Sequence, residues 1–245
     1  SSSVKNSDLK YCLEKKNNSI YDLLSKNRFK GTNLCPCIPG ESASGKQLEF
    51  FINSGDINLY NQARDIPFLG STSKLSAALS LGTISCRAVW NGAQISKKIT
   101  TGEFKINSID TWIKELAWRE FYQNALINFP ELEKGPYREK WINFPWQNNP
   151  DWFDAWENGL TGIPIIDASI RQLRISGWMH NRCRMIVASF LVKDLLIDWR
   201  WGEKFFMKNL VDGDLASNNG GWQWSASSGM DPKPMRIFNP FRQAT

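Results

Sequence analysis

The residues best equipped for chemistry lie in one run, Asp212-Gly-Asp-Leu-Ala-Ser-Asn-Asn-Gly-Gly-Trp-Gln-Trp224. The carboxylates of Asp212 and Asp214 only accept hydrogen bonds, whereas the amides of Asn218 and Asn219 both donate and accept, so together they can address the edge of a heteroaromatic ligand. A buried carboxylate among them requires a cationic partner. Gly220 and Gly221 each cost ~1 kcal/mol against alanine inside a helix, and their place in a helix-compatible run predicts a surface that something flat approaches closely. A polar turn ahead of an amphipathic helix uses the same residue types.

Three further groups carry chemistry. Gly70-Ser-Thr-Ser-Lys-Leu-Ser76 sets hydroxyls and free backbone N–H groups before an apolar run, which suits a phosphate or an ordinary helix cap. At about 100° per residue, Glu115, Trp118, Arg119 and Tyr122 share one sector of a helix over 109–128, forming either a pocket wall or an i,i+4 Glu115–Arg119 pair. Arg182 and Arg184 fall in the first turn of a long helix, where the macrodipole disfavours cations. An anion must therefore compensate them: Asp212, Asp214, a nucleic-acid phosphate or a cofactor. His180 reads as a structural hydrogen-bonder rather than a base. Tryptophan is over-used, 12 in all and mostly between Trp112 and Trp224, interleaved with Arg, Asn and Glu as base stacking or a bound chromophore requires.

These groups need a scaffold, and its periodicity is helical. Helices are predicted from Glu41 through Tyr60 and over 74–81, 85–91, 109–128 (apolar nearly all round, hence buried), 164–175, 182–198 and 203–210, without convincing alternating strands. Residues 1–40 are Ser/Asn/Lys-rich and read as a linker, apart from a short patch near Ile20 to Leu24. The class is a single all-α domain. A formal net charge of +6 favours a polyanionic partner. The cysteines Cys12, Cys35, Cys37, Cys86 and Cys183 are odd in number without repeated pair spacing, and one histidine leaves little for a zinc site, so reduced thiols in a cytoplasm are expected. No apolar run suits a membrane span. An opening Ser1-Ser2-Ser3 and an ending just past Asn239-Pro240 are read as signs of a fragment.

In order and spacing, Trp118-Arg-Glu-Phe-Tyr122, Gly162-Ile-Pro-Ile-Ile-Asp167, Gly177-Trp-Met-His-Asn-Arg182, Ala188-Ser-Phe-Leu-Val-Lys-Asp194, Asp198-Trp199 and the run from Asp212 to Trp224 resemble the FAD-binding domain of the photolyase/cryptochrome family. The likeness is closest to class I cyclobutane pyrimidine dimer photolyases and covers the chain from about residue 41 to the end. It implies an all-α domain holding FAD in a U-shaped form, with a basic face whose hole admits a flipped-out pyrimidine dimer from DNA. It also implies that an N-terminal α/β antenna domain and the last C-terminal helices lie outside this chain. Residues 1–40 would then link to the antenna domain, 41–245 would be the helical FAD- and DNA-binding domain, C-terminally incomplete, and an antenna chromophore would belong only to a full-length protein.

By the same resemblance, Tyr60, Thr72, Ser73, Lys74, Leu75 and Ser76 contact the FAD phosphates and neighbouring parts, Lys74 standing where an arginine is common. Arg184, Asp212, Gly213 and Asp214 lie near the flavin ring and ribose, with Arg184 pairing Asp212. Asn218 faces flavin N5, where plant cryptochromes commonly carry aspartate. An amide there can hydrogen-bond a reduced anionic flavin without adding negative charge, which points to repair. Glu115, Trp118, Asn181, Met185 and Trp224 receive the dimer, while Arg64, Arg119, Arg182, Arg236 and Gln243 contact DNA. Trp222, Trp199 and Trp146 match a chain of indoles that relays an electron to the flavin. The implied function is light-driven repair of cyclobutane pyrimidine dimers by electron transfer from reduced FAD, a carbon–carbon lyase reaction without a metal, in a cytoplasmic monomer. The alternative is a cryptochrome-type blue-light photoreceptor without repair activity.

Overall fold

The computed structural model of the protein describes residues 36–230 and 237–243. Among them every regular element is helical and no strand occurs, in accord with the periodicity. Apart from residues 36–40, which lead into the first helix, the expected linker lies outside the described residues, as do Cys12, Cys35, the patch near Ile20 to Leu24, and Arg236. Cys86 and Cys183 are free thiols. No helix among the described residues is long and apolar enough to cross a membrane.

Helices α1 (Glu41–Asn53), α2 (Asp56–Ala63), α3 (Ser76–Ser80), α4 (Cys86–Ile99) and α5 (Glu103–Asn128) form the first half. Their apolar faces meet in one core built on Leu48, Phe51, Ile57, Val89, Ile109 and Trp112. Helix α4 begins where the Ser85 hydroxyl accepts from Ala88 N–H at 3.1 Å, and it ends on Lys97 and Lys98, both placements that suit the macrodipole. The expectation that α5 is buried throughout fails beyond Leu116. Trp118 is 54% exposed and Phe121 42%, because only the first half of the helix packs into the core, where α2 lies against it.

Helices α6 (Pro150–Glu157), α7 (Pro164–Ser176), α8 (Asn181–Ser189), α9 (Trp199–Asn209), α10 (Leu215–Ser225) and the short α11 (Pro240–Gln243) form the rest. Their core is built on Trp156, Ile170, Met179, Leu191, Trp199, Phe206 and Trp222. Pro164 occupies the first position of α7, as expected. Asp167 accepts from the Thr161 and Gly162 N–H groups at 2.8 and 2.9 Å, which fixes the turn that feeds α7. Helix α6 was not anticipated: its cap, Asn149, accepts from Asp151 and Trp152 N–H, a signal present in the sequence beside Pro150.

The predicted continuous helix over 182–198 is also corrected. Helix α8 loosens into a π turn at Phe190–Asp194, Leu196 takes a positive φ of 50°, and the chain restarts at Asp198. The Asp198 carboxylate accepts from Arg200 N–H at 3.0 Å and so caps α9, while its own N–H donates to Asn148 Oδ1 at 2.8 Å. Apolar periodicity survives this break, which is why it read as one helix.

The start of α8 depends on His180, which is buried and whose Nδ1 accepts from Arg182 N–H at 3.1 Å. Only an unprotonated Nδ1 can do this. Burial holds the imidazole below its ordinary value, opposed by Asp65 and reinforced by Arg182 and Arg184.

Two predictions follow from the packing. A Cβ at Gly202 in α9 would lie 2.1 Å from the Trp222 ring, so Gly202→Ala should lower stability by about 1–3 kcal/mol, read as a lower denaturant midpoint in circular dichroism. For His180 the unfolded chain takes up the proton first, so stability is complete above the unfolded value of about 6.5 and declines as pH falls below it toward the depressed folded value. His180→Asn keeps a capping acceptor but cannot titrate, and should flatten that decline in thermal unfolding measured against pH.

Candidate functional site

Where the two cores meet, a cavity of about 610 Å³ opens. It is walled on one side by Tyr60, Leu75, Val89, Trp112 and Leu116, and on the other by Ala188, Phe206 and Trp222. Its volume falls within the roughly 300–1,000 Å³ usual for cofactor sites. Helix α10 crosses it with Asn218, Gly221, Trp222 and Trp224 on the wall. The two glycines divide their roles. A Cβ on Gly220 would collide with the Tyr122 ring at 2.1 Å, whereas one on Gly221 would meet nothing within 4 Å, and Gly221 alone of the pair lines this cavity.

The carboxylate of Asp212 sets the inner electrostatics. Its side chain is fully buried, and Oδ2 accepts from Arg184 Nη2 at 2.7 Å while Arg184 Nε donates to the Met179 carbonyl at 2.9 Å. The other oxygen, Oδ1, is buried without a protein partner, as is Trp222 Nε1. Asp214 instead caps α10, accepting from Ser217 N–H at 2.9 Å, and takes Gln123 Nε2 at 2.8 Å. Of the anions expected to answer the cations of α8, Asp212 therefore serves Arg184, and Asp214 serves neither. Arg182 pairs with Asp65, which the sequence reading did not single out.

Glu115, Trp118, Arg119 and Tyr122 all line the cavity, as their spacing predicts. The Glu115–Arg119 pair does not form: Glu115 takes Arg64, and Arg119 turns to Glu120 at 2.7 Å. Arg64 also lies 5.6 Å from the Tyr60 ring centroid. Burial, with Glu115 adding to it, pushes the Tyr60 phenol up, so it stays protonated. Asn181, Met185 and Trp224 share the wall with Trp118, and Asn181 Nδ2 sits 3.8 Å from Met185 Sδ. Trp118, Tyr122 and Trp224 also border a second cavity of about 480 Å³ lined mainly by aromatic and aliphatic groups.

In the hydroxyl run, Ser73, Leu75 and Ser76 reach the wall, whereas Thr72 and Lys74 stand outside it, as does Gly213 between Asp212 and Asp214. No side chain caps α3, so capping does not account for these hydroxyls. Lys74 holds a φ of 53°, which turns the chain into α3. Gln243 lies in α11, away from the cavity. Asn219 departs from its expected role at a ligand edge in this cavity: its Nδ2 donates to Glu203 Oε1 at 2.8 Å and to the Leu132 carbonyl at 2.9 Å. Glu203, whose carboxyl burial pushes up against the Asn219 bond, was not foreseen. Neighbouring Asn218 donates to the Glu203 carbonyl at 3.0 Å and so faces the cavity in a fixed orientation.

Trp222 and Trp199 are buried in the second core, and half-buried Trp146 packs on it. The Trp222 ring also meets Trp156 at 6.1 Å and Phe206 at 5.0 Å, two aromatic neighbours that spacing could not reveal.

Comparison with known proteins agrees with the helical fold. Residues 112–245 match the family model described as the FAD binding domain of DNA photolyase. The chain is 56% identical over 209 residues to a deoxyribodipyrimidine photo-lyase of Synechococcus sp., covering 85% of this chain and 43% of that protein. In structure it is similar to a class III photolyase of Agrobacterium tumefaciens (TM-score 0.78, 46% identity, 84% of this chain and 42% of the other). It is also similar to a Synechocystis cryptochrome (TM-score 0.77, 31% identity, 89% and 45%). The chain thus spans less than half the length of the relatives it matches. With the helical architecture and the matched segment in agreement, the chain belongs to the DNA photolyase family, within its FAD-binding domain.

Proposed function

We propose that this chain is the flavin-holding and damage-recognising part of a deoxyribodipyrimidine photolyase that splits cyclobutane pyrimidine dimers in DNA. The observation that carries the reading is a single cavity lined by two chemically distinct sets of groups. One set is a buried carboxylate oxygen with no protein partner and a glycine surface that no neighbouring atom covers; the other is two indoles, a carboxylate, an amide and a thioether.

The residues present fit FAD. Asp212 Oδ1 needs a donor, Gly221 leaves room for a flat ring, and Ser73 and Ser76 offer hydroxyls for phosphate. Reduced FAD, when bound and excited by light, supplies the electron that opens the cyclobutane ring. Asp212 would hold a polar edge of the isoalloxazine through Oδ1, while Arg184 fixes its other oxygen. Asn218 presents an amide that bonds a reduced ring without adding negative charge. Trp118 and Trp224 stack on the dimer, and ~1–3 kcal/mol per stacked base offsets the few kcal/mol needed to flip it out. Glu115 and Asn181 address its polar edge, and Arg119 and Arg182 its phosphates. Trp222, Trp199 and Trp146 pass electrons from the surface inward, a role separate from dimer binding.

Two experiments test this reading. Gly221→Ala should leave the apoprotein as stable as wild type, or up to ~1 kcal/mol more so from helix propensity, while flavin content measured by absorbance after heat release falls sharply. Retention of normal flavin by this variant and by Asp212→Ala would place the cofactor elsewhere. Trp118→Ala should weaken binding to dimer-containing DNA by ~1–3 kcal/mol yet leave light-driven bleaching of oxidised flavin intact. Trp222→Phe should slow that bleaching and leave dimer binding unchanged. Loss of both activities in both variants would refute the separation of roles. A protein that bleaches normally but leaves dimers unrepaired would favour the cryptochrome alternative.

A further inference from the structure

Next to the cavity-lining Arg64, Asp65 stands between two of the arginines assigned to DNA. Its Oδ1 receives Arg182 Nε at 3.2 Å as well as Arg182 Nη2, and lies 3.7 Å from Arg64 Nε. The Nε–Nη2 edge of a guanidinium is one of the edges that can chelate a phosphate. On Arg182 that edge is already occupied. Arg64 is engaged twice, by Asp65 outside and by Glu115 on the cavity side. The Asp65 side chain is itself 50% exposed, so it can leave these partners without opening the fold. Arg182 sits in the first turn of α8, where the helix dipole opposes a cation, and an anion beside it relieves that opposition.

We infer that Asp65 is a specificity-determining residue: it shields Arg182, and in part Arg64, from the phosphates of undamaged DNA. Non-specific binding is almost wholly a phosphate contribution. An intact duplex must therefore displace the Asp65 carboxylate or tolerate its charge, with nothing else to gain. A duplex carrying a dimer meets the same carboxylate but adds stacking on Trp118 and Trp224, which Asp65 does not touch. A charge set against the wrong partner thus widens the ratio between the two affinities. The inference rests on the proposed reading of Arg182 as a DNA contact.

The test measures fluorescence anisotropy with a labelled duplex, intact or carrying one thymine dimer, across a sodium chloride titration. Flavin content and thermal midpoint are followed in each variant. Asp65→Asn should bind the intact duplex about fivefold more tightly at low salt, and its log-affinity slope against log salt should steepen by about 0.9 for each phosphate contact released. Affinity for the dimer duplex should rise less, so discrimination falls; Asp65→Glu should restore it. In an Arg182→Ala background, Asp65→Asn should lose most of its effect. Unchanged or weaker binding of the intact duplex by Asp65→Asn, or loss of its flavin, overturns the inference. If Arg182→Ala keeps the wild-type salt slope, the underlying DNA-contact reading fails instead; a reduced slope there with no response to Asp65→Asn sinks the role of Asp65 alone.

Discussion

Burial of the Asp212 carboxylate is the constraint on which the rest of the site depends. A carboxylate removed from water is costly unless a cation and hydrogen bonds replace its hydration. Arg184 supplies one charged bond, and its own Nε is anchored on the Met179 carbonyl, so the guanidinium is held from both sides. This ties the start of α8 to the segment entering α10 across the floor of the cavity. The oxygen left without a partner makes the site incomplete as a protein interior and complete as a receptor for a ligand with a donor.

The same logic orders the surroundings. Residues from both cores supply the cavity walls, so the groups in contact with a ligand are fixed by packing that never touches it. Trp222 is pressed against Gly202 so closely that no larger residue fits there, which sets the level of α10 relative to α9. Tyr122 fills the notch at Gly220 in the same way from the side of α5. Next to these rigid contacts lie open ones: Trp118 is 54% exposed, and Arg119 on the wall and Arg182 nearby are held by ion pairs with half-exposed acids. A preorganised interior beneath an exchangeable charged rim suits tight retention of one ligand and reversible engagement of another.

Much of this was legible in the sequence because it is local. Helical class follows from apolar spacing, α7 from the periodicity over 164–175, and the shared face of Glu115, Trp118, Arg119 and Tyr122 from 3.6 residues per turn. The presence of two cations in the first turn of α8 also demanded anions before any fold was known. What the sequence alone left open was every choice between equivalent partners. Asp212 rather than Asp214 answers Arg184, Asp65 answers Arg182 from 117 positions away, and Arg64 rather than Arg119 takes Glu115. Asn218 and Asn219 are adjacent and chemically identical, yet the first lines the ligand cavity and the second is buried against Glu203 and Leu132. Successive residues on a helix point about 100° apart, so only the docking of α10 on its neighbours decides which amide lines the cavity and which is buried against protein. The break between α8 and α9 was hidden for a related reason: apolar side chains keep their spacing through a π turn, and the capping carboxylate of Asp198 becomes decisive only once Asn148 is brought to it from a distant part of the chain.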